Sequence, residues 1–580
     1  MHRVTGASVL IVAAVIAVDP AGLWPFGPAR WLVVSAGGVG VVAWCLARPE
    51  WQLDRRTFRL WMVLLACLTA GALANHDVWM ALMGTDTRHF GLATWLLCCG
   101  LFFAGQQLRG HEHAVLKACT VAAAVVGSWS LWELVVGPPI ALATTTSRLT
   151  GPFGSAALLG AAVCLFLPPA VAVAADRGQT RPWRVIAAIA ASSCAAAALG
   201  SGARAAWCGL LVAAVVVAWR VRRARRPLVV GGGAVLVAAL LAMPLVGSVL
   251  ERDQGAASRL DEWRVATRVI GNHPLLGVGP EGYRIAVSEG IDDEYERAHL
   301  RDEVLPDRAH ASLLDVALAG GLLAAAAYGG LLLVIGTRVI RRLPTLPGAQ
   351  VALAASLLAY FSAQLLLFPV FELDPIAWLL AGVAVAGTRP APPRTVASTT
   401  SRRLLTAAGV LVGATALVGG LLDVAANRLA RDALSASAGG SDDTADELAG
   451  RAARLRPDSI AYRMTAVRVL LAADTLRTTD AALGQADEAV RWSAHDPIAV
   501  DLRATSLLQR ALQTGSAADT AAAVAAWQVL VERDPHRGRW QLQLGIAAAA
   551  AGDNALARQA WQRAEALGQA RATQLLEELP

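Results

Sequence analysis

Residues 310–336 read HASLLDVALAGGLLAAAAYGGLLLVIG: one histidine, one aspartate at 315, then no charged side chain from 316 to 336. A bilayer span needs roughly 20 predominantly apolar residues, with about 17 tolerated. The stretch therefore reads as a membrane-crossing helix with an ionisable mouth. Just before it the chain is polar: residues 248–309 carry Arg259, Trp263 and the run from Asn272 to Pro280, and close on Asp307-Arg308-Ala309-His310.

Working outward, comparable apolar runs recur near 5–18, 31–47, 58–74, 91–107, 114–136, 153–175, 184–200, 205–219, 227–247, 350–368, 374–387 and 404–422. With 310–336 they make thirteen expected spans; 5–18, 205–219 and 374–387 are the shortest. Over 580 residues the chain is 56% hydrophobic, with mean hydropathy +0.49, which excludes an ordinary soluble fold. The first run has no small-x-small cleavage site before Asp19-Pro20, so it reads as a retained helix, not a signal peptide.

Short-loop charges orient the bundle. With the N-terminus in the cytoplasm, inside segments hold twenty-two Arg and Lys residues. Outside short loops hold four: Arg30, Arg88, Arg148 and Arg204. The 248–309 loop is then extracytoplasmic, and with thirteen spans so is the tail from 423. Much of the net charge of +7 belongs to this cytoplasmic set, which meets anionic lipid and does not imply nucleic-acid binding. All eight cysteines fall within or at the ends of expected spans, so no disulfide framework or zinc-type spacing is present.

The expected fold class is all-α: a polytopic bundle of about 12–13 spans, then a soluble helical-repeat domain. Residues 1–387 form the bundle with its polar loop, 388–422 a Pro/Ser/Thr/Arg linker and final membrane helix, and 423–580 the tail. In the tail Pro457, Pro497 and Pro535 recur 40 and 38 residues apart. The last unit reads Trp540, Leu544, Gly545, Ala548, Gly552, Ala555, Trp561, Ala564. That resembles the tetratricopeptide pattern of interlocking large and small residues, in about three helical hairpins. An irregular helical bundle is the alternative.

Arg148 and Arg204 sit at outer helix mouths, where positive charge is out of place. The 201–204 turn is so short that Arg204 lies at the membrane boundary, where a guanidinium is costly unless paired or wet. A grip on phosphate oxygens suits both; so does snorkelling to lipid phosphates. His310, at a helix N-terminus, suits a neutral imidazole acting as general base; a helix-capping or interfacial histidine is the plainer reading. Asp315 is a weaker candidate for orienting it. The acidic run 292–296 reads as a solvated face in preference to a metal site, and the Gly320-Gly321 pair as close helix packing.

Four motifs in order resemble those of the O-antigen ligase and polymerase family, between about residues 55 and 385. Arg148-Leu149-Thr150-Gly151-Pro152-Phe153-Gly154 is similar to its Arg-x-x-Gly-x-Phe-Gly turn, and residues 201–207 to its Ser-Arg-Gly helix start. Residues 274–283 resemble its Pro-Leu-x-Gly-x-Gly loop. Ala309-His310, followed by Gly320-Gly321, resembles its His-Asn…Glu-x-Gly signature, with Ala311 and Ala319 in place of the Asn and Glu. The resemblance implies a membrane glycosyltransferase at the outer face of the cytoplasmic membrane, in cell-surface polysaccharide biosynthesis. A glycan would pass from an undecaprenyl-diphosphate-linked donor to a sugar hydroxyl on a glycan or lipid-glycan acceptor, with inversion and without metal or cofactor. It makes His310 the base and Arg148 and Arg204 the diphosphate-binding pair, with Arg308 and Arg259 as further phosphate contacts. The alternative is a transporter or a scaffold whose tail docks partner proteins; the spans show no internal repeat of the kind transporters carry.

Overall fold

The computed structural model describes residues 2–48, 50–51, 53–75, 77–140, 148–220, 255–301, 306–388, 395–396 and 399–579. The expected span at 227–247 and the start of the polar loop lie outside these residues. The other twelve expected spans fall on helices: α1 (His2–Ile16), α2 (Pro28–Leu46), α3 (Arg55–Ala74), α5 (Leu92–Gln106), α6 (Glu112–Val135), α7 (Ala156–Ala175), α8 (Arg181–Ser201), α9 (Arg204–Arg220), α12 (Ser312–Arg342), α13 (Gly348–Gln364), α14 (Asp374–Gly387) and α15 (Thr399–Ala438). A short α4 (Val78–Met83) precedes α5; α10 (Gly255–Asn272) and α11 (Asp293–His299) lie in the polar loop. Among the described residues the bundle's regular structure is helical apart from a two-residue antiparallel pairing of Glu50–Trp51 with Thr395–Val396.

Among the described residues seven helices, α2, α3, α6, α7, α8, α12 and α15, are long and apolar enough to cross a membrane by length and composition. Their outward faces carry bare apolar side chains, such as Leu333 at 66% exposure and Val410 at 62%. Water would not tolerate so continuous an apolar surface; lipid does. The short α14 lies in the middle, with Trp378 wholly buried and its ring 4.7 Å from that of Trp61. A helix apolar on every side belongs inside a bundle.

The kink in α12 shows why the glycine motifs occur as they do. Gly321 has φ +79, a left-handed geometry inside the helix. A Cβ there would collide with the carbonyl of Leu275. Into that gap the 274–278 turn docks: Leu322 N–H donates to Pro274 O (2.9 Å), and Val278 N–H to Leu318 O (2.7 Å). Gly321 thus seats a loop, where helix packing was expected, while Gly320 does pack against a helix, its Cα side facing Leu68 of α3. Gly321→Ala should cost at least about 2 kcal/mol through backbone strain and the lost loop seat. A lower Tm and faster proteolysis of the 274–278 turn would report it; an unchanged Tm would refute it.

Helix α15 runs unbroken to Ala438, so the expected boundary at 423 falls in mid-helix. The reason is tertiary. Asp423 and Asn427, which read as the start of a soluble tail, are fully buried. Tyr462 O–H donates to Asp423 (2.9 Å), and Arg456 pairs with it at 2.6 Å. Eight further helices follow: α16 (Asp442–Leu455), α17 (Ile460–Ala472), α18 (Leu476–Trp492), α19 (Pro497–Thr514), α20 (Ala517–Arg533), α21 (Gly538–Ala550), α22 (Asn554–Ala566) and α23 (Ala570–Glu578). Each packs on the next. Pro457, Pro497 and Pro535 stand at or just before the starts of α17, α19 and α21, where a missing N–H and a fixed φ cost a helix little.

The tail lies across the polar loop. Arg301, 4% exposed, donates to Glu296 (2.6 Å) in the loop and to Asp534 (2.8 and 3.3 Å) in the tail. Glu296 also accepts the N–H of Gly538 at 3.0 Å. Asp293 takes both Arg563 nitrogens (2.7 and 2.6 Å) and faces His536 at 2.6 Å. The Arg563 hydrogen bonds hold the Asp293 carboxyl well below the usual range, although burial opposes them. Asp293 and Glu296 of the acidic run therefore face the tail, Glu296 with no solvent exposure, while Asp292 pairs with Arg268 in the loop and Glu294 is exposed. A solvated face was the expectation. Carboxylates with guanidinium partners far along the chain gave no local sign of them.

Candidate functional site

Helix ends carrying the sequence-identified residues gather at one end of the bundle, in two groups. The first is built on the turn 148–154. Glu133, near the end of α6, accepts from Thr150 N (2.9 Å), Thr150 Oγ1 (2.8 Å) and Gly151 N (2.7 Å). Arg30, fully buried, donates to Pro152 O (2.5 Å), and its guanidinium lies 4.7 Å from the centre of the Phe153 ring. Gly154 has φ +64 and faces the Phe26 ring, so no side chain fits there. On this rigid turn Arg148 Nε donates to Ser201 O at 2.7 Å. Its side chain lies beside Gly202, two residues before the exposed Arg204 that opens α9. The structure thus brings Arg148 and Arg204 to the same α8–α9 turn, and the first turn of α9 adds N–H groups that favour an anion.

The second group surrounds His310. The residue stands two positions before α12, with φ +55. Asp315 holds it there, accepting from Ala309 N–H (2.8 Å) with one oxygen and Ala311 N–H (3.2 Å) with the other. The backbone on both sides of the histidine is thereby clamped. Sequence spacing marked Asp315 only as a weak orienter of the ring; in the fold it fixes the backbone. His310 Nδ1 lies 3.1 Å from Glu262 Oε2 of α10, close to it but without hydrogen-bond geometry. The ring meets Phe368 edge-on at 5.0 Å.

Three arginines complete the group. Arg308 pairs with buried Glu281. Arg88 grips Asp307 at 2.7 and 3.3 Å. Both guanidinium groups lie by the Phe368 ring, 5.9 and 4.9 Å from its centre. Arg259 reaches Glu262 at 3.4 Å. Burial pulls the Arg308 pKa down, but Glu281 and Asp307 outweigh it and hold the group above its ordinary value. Burial likewise opposes ionisation of Asp307, and Arg88 with Arg308 overcomes it, leaving the carboxyl below its usual range. Arg259 differs: burial outweighs Glu262 and Asp315 and lowers its guanidinium pKa from the ordinary value.

His310, Arg308 and Arg259 are thus brought together, and Arg148 and Arg204 are brought together. Between the groups stand Arg30 and Glu372, the latter within electrostatic reach of both Arg30 and Arg88. Sequence reasoning missed Glu262, Glu281, Asp307 and Phe368. Arg88 carried a signal, being one of the four arginines on the wrong side of the charge asymmetry. The carboxylates carried none, because acidic residues in a polar loop are unremarkable.

A family model described as O-Antigen ligase matches residues 186–329, which take in the α8–α9 turn, Arg259, the 274–278 turn, Arg308, His310 and Gly321; Arg148 lies before it. No curated protein matches the chain. With the apolar helices that flank it, this match indicates a multi-pass membrane protein whose residues 186–329 are similar to the O-antigen ligase family.

Proposed function

We propose that the chain transfers a glycan from an undecaprenyl-diphosphate-linked donor to a sugar hydroxyl of a glycan or lipid-glycan acceptor, at the outer face of the cytoplasmic membrane. The observation that carries this reading is the clamped His310 among Arg88, Arg259 and Arg308, at the same end of the bundle as Arg148 and Arg204. A hydroxyl oxygen attacks the anomeric carbon opposite the diphosphate. The carbon–oxygen bond to the diphosphate breaks, and its electron pair leaves with the lipid. The hydroxyl proton passes to His310 Nε2, Nδ1 being the ring nitrogen on the Glu262 side. Inversion follows from the single displacement. Cationic side chains stabilise the leaving diphosphate, so no metal is required.

The charge asymmetry supports an extracytoplasmic loop. Because the tail is ion-paired to that loop, it lies on the same side. Residues 1–387, 388–422 and 423–580 remain useful units, although α15 continues into the third. The three hairpins after Pro457, Pro497 and Pro535 support a tetratricopeptide-like tail that contacts partners or the growing glycan. In lipid nanodiscs with a lipid-linked donor, Arg148→Ala and Arg204→Ala should each raise the donor KM about tenfold, in line with loss of one charge-assisted contact. Turnover should persist in EDTA. Unchanged KM in both variants would remove the diphosphate role.

A further inference from the structure

A second cleft lies on the far side of the loop 84–91 from His310. Its walls come from α4, from that loop and from the tail around residues 456–464 and 492–496. It is open to solvent and offers a ligand about 150 Å³. Trp79 and Trp492, one from each wall, are each 44% exposed. Two bare indoles lining one cleft are unusual in a docked interface, where aromatic rings are normally covered.

The floor is polar and already ordered. Arg456 pairs with Asp423 (2.6 Å), Asp458 (2.9 Å) and Asp86 (3.7 Å), and Asp86 accepts from Ser459 Oγ at 2.8 Å. Trp79 Nε1 donates to Asp458 at 3.3 Å. His89, 4% exposed, also lines the cleft, its ring stacked 5.2 Å from Trp31. Burial first, and the Arg456 cation second, push this imidazole down to about 3, so it is neutral. Its Nε2 has no hydrogen-bond partner, and the nearest acceptor, Asp423 Oδ2, is 3.7 Å away and also without one.

We propose that this cleft binds a saccharide. Pyranose rings stack on Trp79 and Trp492, and ring hydroxyls bond the Asp86, Asp458 and Arg456 network and reach toward His89. Rings of indole size, flanked by carboxylate–guanidinium pairs, match a flat sugar with an apolar C–H face and a rim of hydroxyls. The loop 84–91 joins this cleft to the site, since Thr85 donates to Glu281 (3.3 Å) and Arg88 grips Asp307. A glycan held here would lie within a few sugar units of His310. The inference rests on the glycan-transfer reading for the identity of its ligand.

The test uses the full chain in nanodiscs. The probe is the oligosaccharide freed by mild acid from the lipid-linked glycan of the producing cells, and binding is followed by saturation-transfer NMR. Wild type should saturate. Trp79→Ala/Trp492→Ala should bind at least tenfold more weakly, and Trp79→Phe/Trp492→Phe, which keeps two rings, should stay within about threefold. If the double alanine variant does not fold, the two single alanine variants decide by the same tenfold criterion. His310→Ala should bind as wild type does. Displacement of the probe by intact lipid-linked donor assigns the cleft to the donor's chain; persistence of binding assigns it to the acceptor. No binding by wild type, or equal binding by the alanine variants, overturns the proposal. If His310→Ala keeps full transfer while the tryptophan variants lose the probe, the catalytic reading fails and the cleft stands.

Discussion

Replacing His310 with alanine should lower glycan transfer by at least about 100-fold while leaving the amount of folded protein in the membrane unchanged. A positioned general base contributes about 100- to 10,000-fold, and His310 is the imidazole that stands beside Glu262, at 3.1 Å. The fold should survive because the ring is partly exposed and meets Phe368 only edge-on. Backbone strain is the competing explanation, because alanine is disfavoured at φ +55. His310→Asn removes that ambiguity: asparagine tolerates the left-handed region but cannot take the proton. Both variants should lose transfer alike. Transfer at wild-type rate by His310→Asn would make the residue a turn-former and nothing more.

The largest stability effect should come from the seam between loop and tail. Arg301→Met removes the cation shared by Glu296 and Asp534, which are 0% and 2% exposed. Breaking one partner of a buried ion pair costs about 3–5 kcal/mol, because the remaining charges stay buried without compensation. The tail should detach from the loop. The expected readouts are a lower Tm and protease cleavage in the segment around 534–538, which wild type protects. Transfer should fall as well, because the detached tail releases Asp86 from Arg456 and Ser459 and so frees the loop that carries Arg88. Arg563→Ala, at a half-exposed pair, should cost far less. Equal Tm for Arg301→Met and wild type would show that the tail is held by other contacts.

The bundle was legible because membrane helices declare themselves locally. A run of 17 to 24 apolar residues leaves its backbone no partner but itself, so sequence and structure agree to within a few residues across α2, α3, α6, α7 and α8. Arg148, Arg204 and His310 were legible for a related reason: charges at apolar boundaries are costly and therefore conspicuous. The failures are all long-range. Asp423 reads as the end of a membrane helix until Arg456 and Tyr462 supply its partners. Glu296 reads as solvated until Arg301 and Gly538 close over it. Asp315 becomes the clamp on His310 only when the chain at 309–311 turns left-handed, a geometry no periodicity signals. Glu281 is found only through Arg308 and Thr85.

The most direct test follows the lipid. Purified protein is reconstituted in sealed vesicles with lipid-linked donor and acceptor, and free undecaprenyl diphosphate and new glycosidic product are counted by mass spectrometry. One lipid diphosphate should be released for each glycan transferred in wild type, and neither should form with His310→Asn. Donor that stays intact while the protein is folded, or product that forms equally well without the imidazole, would contradict the proposed chemistry.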